Sequence, residues 1–165
     1  MEEKFYSEEK LKEIVEVRKM NPFQVLCALV MGALIKHKIL SQGVINVICK
    51  DVGPRFAEVL LSMGYIGNYE QSREGLKSLI KDVCRAMKMD DITRVEDVDE
   101  GVAVIVDSKL CRLCIRTVGD VPRSACIFPV IFEAMANYMG IPCKFNRKED
   151  FKSEGLCKVI FEINV

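Results

Sequence analysis

The hydrophobic period of the chain changes at Ile92, and that change decides the fold class. Before it, apolar residues recur at helical spacing. Leu11, Ile14 and Val15 follow a Ser7 cap; a run from Phe23 to about Leu40 comes next. Val44, Ile45, Val47, Ile48 and Val52 follow a Ser41 cap and are continued by Phe56, Val59, Leu60 and Met63. Leu76, Leu79, Ile80, Val83 and Met87 then mark Glu70 to Met89. After Ile92 the apolar runs are short and Val-rich. ITRVEDV, Asp99-Glu100-Gly101 and VAVIVDS read as a β-hairpin, with the glycine supplying the positive φ of a tight loop. Helical spacing returns from Ala125 to Gly140 through Phe128, Ile131, Phe132, Met135 and Met139. CKFNRKEDF and LCKVIFEINV, joined by the turn KSEG, form a second hairpin, with Val159, Phe161 and Ile163 alternating toward one face. This order predicts an α+β fold: N-terminal helices, then a four-stranded antiparallel sheet of two hairpins separated by a helix, packed on helices.

Punctuation refines the helices. Asn21-Pro22 ends one and starts the next, with Pro at a first position where its missing N–H costs nothing. Gly53-Pro54 is expected to break or kink the third, and Gly64 to stop it. The helix from Phe23 to Leu40 is apolar on nearly every side, so this chain or a partner copy must cover it.

At 165 residues the chain can bury one continuous core without disulfides. Lys+Arg and Asp+Glu both number 24, so there is no positive excess to neutralise phosphates, and nucleic acid is not an expected partner. The longest apolar run, Val25 to Ile35, is about half the roughly 20 residues of a membrane span. MEEKFYSEEK is acidic where a secretory leader is basic and then apolar, so the expected location is cytoplasmic. In that reducing compartment the eight cysteines are free thiols or metal ligands. His37 is the only histidine, and its place among lysines at a helix end reads as a C-terminal charge. Phosphate-binding glycine loops are absent, and no Ser/His/Asp set can be assembled, so no catalytic residue is nominated.

Three cysteines fall within KLCRLCIRTVGDVPRSACIFP. Cys111 and Cys114 form a C-x-x-C, which reads as a metal-ligand pair, a redox pair or two small buried hydrophobes. A thioredoxin-type pair opens a helix, whereas a turn-rich segment follows here. Cys27, Cys49 and Cys84 lie on apolar helical faces and read as core.

From about Ser41 to Val165 the chain resembles the 4-vinyl reductase or hydrocarbon-binding domain family, related in fold to the TRAPP vesicle-tethering subunits. The features that carry the resemblance are the helix with GPRF, the amphipathic helix running into ITRVEDV, Cys126 in SACIFPVIFEAMANYMG, and then Glu149, Gly155 and Cys157. Phe151 and Lys152 stand where that family has a further cysteine, and Pro129 stands where its helix is glycine-rich. The resemblance divides the chain into a helical extension, residues 1–40, serving dimerisation or the core, and a ligand-binding domain, residues 41–165. It implies that Cys126 and Cys157 approach the C-x-x-C, giving a structural zinc site of Cys111, Cys114, Cys126 and Cys157, with Glu149 or Cys143 as alternates. It further implies a homodimer that binds a small hydrophobic molecule without catalysis. Phe56, Leu60, Met63, Phe128, Phe132, Met135 and Tyr138 are the nominated lining, with plain core packing as the alternative for each. Two other functions follow from the same resemblance: reduction of a vinyl group on a tetrapyrrole-type substrate, and a TRAPP-like scaffold. A fully packed interior beside a large exposed apolar patch would favour the scaffold.

Overall fold

The computed structural model of the protein describes residues 16–19, 22–111, 126–151 and 155–163. Helix α1 (Pro22–Lys36) begins on the proline, as its fixed φ favours. Helix α2 (Gln42–Ser62) is capped by Ser41, whose hydroxyl accepts the Val44 N–H at 3.3 Å. It closes with Gly64 at φ +72°, where the Gly64 and Tyr65 N–H groups donate to the Leu61 and Leu60 carbonyls. Helix α3 (Arg73–Ala86) uses Ser72 in the same way, accepting the Gly75 N–H at 3.1 Å. A 3₁₀ turn at Asp90–Ile92 leads into strands β1 (Thr93–Val98) and β2 (Gly101–Asp107). Helix α4 (Phe128–Tyr138) and strands β3 (Cys143–Phe151) and β4 (Leu156–Ile163) complete the fold. The sheet is antiparallel throughout, in the order β1-β2-β4-β3. The α+β architecture expected from the change of period is the one present.

Register explains which face of the sheet the helices cover. Val102, Val104 and Val106 of β2 lie opposite Phe161, Val159 and Cys157 of β4, and the three valines, Phe161 and Val159 join the main core. Leu76, Leu79, Ile80 and Val83 of α3 meet them with no exposed surface. From α4 come Phe128 and Phe132, with ring centroids 4.6 Å apart, and Met135. Polar ties then set the orientation of the layers. The Glu133 carboxylate accepts the Phe145 N–H at 2.7 Å, and the Asn137 amide donates to the Cys143 carbonyl at 2.8 Å, binding α4 to β3. The Arg73 guanidinium donates to the carbonyls of Val98 and Asp99, both at 3.0 Å, and so holds the first hairpin turn against α3.

Three expectations are corrected. Gly101 pairs with Val98 as the first residue of β2, so the loop is Asp99-Glu100. A Cβ on Gly101 would stand 2.1 Å from the Phe161 carbonyl oxygen, and close strand approach is a second reason for glycine there. The helix expected from Ala125 to Gly140 is confined to Phe128–Tyr138, because Pro129 suits only the first turn of a helix. Of the break or kink expected at Gly53-Pro54, the break is absent, because α2 runs through both residues. The helix expected behind Ser7 lies outside the described residues, except that Glu16–Arg18 are helical and Lys19 turns away at φ +50°.

Candidate functional site

Helix α2 presents two faces of opposite character. Its inner face is Ile45, Cys49, Gly53, Ala57 and Leu60, all buried. The three middle residues are small, and a Cβ on Gly53 would lie 2.5 Å from Ala134 Cβ, so α2 and α4 cross almost backbone to backbone. The outer face carries Val44, Ile48, Val52, Val59 and Met63, exposed by 41%, 47%, 43%, 50% and 59%, with Val47 beside them at 71%. The sequence reading merged both sets into one apolar face, and the structure separates them. Leu26 and Val30 of α1 are exposed as well, whereas Met31 and Leu34 pack against the cluster of Leu40, Ile45, Cys49 and Val130. The covering expected all round α1 is therefore partial among its described side chains.

Of the nominated lining, Leu60, Phe128, Phe132 and Met135 are sealed in the core, and Phe56 is half-buried against it. Met63 and Tyr138 stand in solvent, and the Tyr138 hydroxyl donates to Glu58 at 2.6 Å, which raises the phenol's pKa. A cleft of about 220 Å³ lies elsewhere, lined by Asp91, Ile92, Arg94, Ile105, Asp107, Leu110 and Leu156. None of the nominated residues borders it.

Cys27 is exposed on α1, not in the core as its apolar helical surroundings suggested, and the other described thiols fall into two groups. Cys84 and Cys143 are buried, and burial pushes them up to about 11 and about 12, so both are neutral packing groups at ordinary pH. Burial, with Cys126 nearby, also raises Cys49. The remaining candidates are half-buried. Cys111 follows the turn after β2 and accepts a hydrogen bond on its carbonyl from the Arg18 guanidinium. Cys126 precedes α4 and is held by Gln42, whose side chain accepts its N–H at 3.1 Å and donates to its carbonyl at 3.4 Å. Both cysteines pack against the main core. Cys157 lies opposite Val106 on β4, and Glu149 opposite Lys158. Cys114 lies outside the described residues. Among the described residues no three His, Cys, Asp or Glu side chains form a group able to hold a metal, so Cys111, Cys126 and Cys157 do not make the expected tetrahedron by themselves. His37 is exposed in the turn after α1.

Sequence reasoning missed Glu133 and Gln42. Each is a polar residue whose partner is a backbone group more than ten positions away, and nothing in local spacing announces such a partner. Among the described residues no helix is long and apolar enough to cross a membrane. The MJ0207 family matches residues 38–163 of the chain, all of the described strands and every described helix after α1. No curated protein matches it.

Proposed function

The chain belongs to the MJ0207 family, and we propose that it works as a non-catalytic protein-interaction subunit whose outer α2 face is covered by another protein surface. One observation carries this reading: the exposed apolar stripe lies on a helix whose other face is fully packed. The six side chains together expose on the order of 500 Å², at the upper end of the apolar patches that monomers tolerate. The rival reading, a hydrophobic-ligand pocket, has less support. Four of its nominated residues are core, and the cleft near Arg94 is smaller than the ~300–1,000 Å³ of typical ligand sites.

The test uses the protein from its own cells. At natural abundance it should run above its monomer mass, and I48E/V59E should release it at monomer mass with an unchanged far-UV spectrum. A monomer recovered from the source would sink the reading.

Zinc belongs to this proposal as a staple. Cys111 and Cys126 bracket residues 112–125, which contain Cys114, and both rest on one core. Protein never exposed to chelator should carry about one equivalent of zinc, the content of a single four-ligand site. Less than about half an equivalent removes zinc from the account.

A further inference from the structure

We infer that the surface covering α2 is the α2 of a second copy, antiparallel and related by a two-fold axis between Val52 and Arg55. The inference rests on the interaction reading above and adds the partner's identity and register.

Its starting point is the spacing of the outer stripe. Val44, Ile48, Val52, Arg55, Val59 and Met63 lie within an arc of about 100° on α2, and their separations read the same from either end. A palindromic stripe is what an isologous interface requires, because each position must meet its own counterpart in reverse. Placing the axis midway sets Val44 on Met63 of the second copy and Ile48 on its Val59, so each apolar group meets another. Val52 then lies along the aliphatic stem of the second copy's Arg55, a contact that leaves the guanidinium free to reach outward.

Charge agrees with that register. Within one chain Arg55 donates to Asp51 at 3.3 Å in an exposed ion pair, one turn apart. In the antiparallel pair Arg55 also faces Asp51 of the second copy, and the same contact recurs across the axis. The crossing thus holds two positive and two negative groups in alternation. A parallel pair would set Asp51 against Asp51 and Arg55 against Arg55, and like charges opposed across an interface suppress that arrangement. The five apolar residues of the stripe supply roughly 400 Å² of the ~800 Å² that each partner contributes to a standard interface, and the flanks of α2, Val47 among them, complete it.

The experiment uses recombinant full-length chain, with native mass spectrometry and sedimentation as readouts. Wild type should be dimeric at about 10 μM, and I48K and V59E should each dimerise at least ~10-fold more weakly, since each buries unpaired charges. Mixed in equal amounts, the two variants should form a heterodimer in excess over either homodimer, because the lysine introduced in one copy then meets the glutamate introduced in the other. That rescue also shows both variants to be folded. A parallel pair gives no such excess, because position 48 then meets 48. Wild type monomeric at about 100 μM would overturn the second-copy inference and leave the interaction reading to the source-cell test. A wild-type dimer unaffected by I48K or V59E would likewise overturn the second-copy inference and leave the interaction reading to the source-cell test. A dimer weakened by each variant but without heterodimer excess would overturn the antiparallel register.

Discussion

Gly53→Val should lower the stability of the protein by about 3 kcal/mol, the upper part of the range for overpacking a close-packed contact. For a chain of this size that corresponds to a fall in melting temperature of roughly 10 °C. The reason is where α2 crosses α4. A Cβ at position 53 would sit 2.5 Å from Ala134 Cβ and 3.3 Å from the Ala134 carbonyl carbon and the Met135 nitrogen. The obstructing atoms are backbone and a single methyl, so no flexible side chain can swing aside. Relief needs the two helices to part by about an ångström, and interiors packed at crystal density do not yield that cheaply.

Gly53→Ala poses the sharper contest. Alanine in a helix interior gains about 0.5–1 kcal/mol over glycine, and the collision opposes it. The collision should win, leaving Gly53→Ala destabilised by about 1 kcal/mol. Lys50→Ala, one turn away and exposed, should change stability by less than about 0.5 kcal/mol. Adding Ala134→Gly to Gly53→Ala should recover part of the loss, and that non-additivity marks direct contact between the two positions. Chemical unfolding of these four variants and of Ala134→Gly alone measures all of this. A Gly53→Val protein melting within about 2 °C of wild type would mean that α2 does not lie on α4 at this distance.

The same helix shows what a sequence discloses and what it withholds. Helix α3 was legible down to its buried residues, because Leu76, Leu79, Ile80 and Val83 alternate with charges and only one face can be the inner one. Helix α2 was legible as a helix, since its Ser41 cap and Gly64 stop are local chemistry. Which of its faces lies inside was not. Valine, isoleucine and methionine occupy most of its circumference, and hydrophobicity cannot rank two apolar sides. The discriminating signal was steric: Cys49, Gly53 and Ala57 recur every fourth residue, a row of small side chains that permits close helix approach. Both hairpins were legible because the turn-forming sequences Asp99-Glu100-Gly101 and KSEG punctuate short runs rich in Val, Ile and Phe. The candidate thiol site was legible only as spacing. Whether Cys111, Cys126 and Cys157 converge depends on how β2, α4 and β4 pack, and no periodicity encodes that.

Raising the pH above 9 should unfold the protein progressively, even though its net charge is balanced near neutrality. Burial is the main cause. It pushes the Cys84 thiol up to about 11 against a weaker lowering by the Thr93 hydroxyl, with Asp90 adding a small upward push. Burial likewise carries Cys143 to about 12, with Glu133 adding to it, and Tyr69 moves the same way to about 12. Unfolded thiols ionise near 9. Below that pH both states keep the proton, and the contribution of these thiols to stability is complete. Between 9 and about 12 the unfolded chain releases protons that the folded chain retains. The folded state then binds more protons than the unfolded, so stability falls as pH rises, by up to about 1.4 kcal/mol per unit for each thiol. By pH 12 the two thiols together account for a loss of roughly 6 kcal/mol, comparable with the whole stability of many domains. Urea midpoints measured from pH 8 to 11.5 should therefore hold steady and then drop. The double variant C84A/C143A should start lower, because two buried sulfurs are gone, yet fall less steeply over the same interval. Slope separates the ionisation effect from the packing loss, which shifts the level at every pH. Parallel profiles for the two proteins would show that the alkaline transition comes from other groups and that these thiols are not held neutral by the fold.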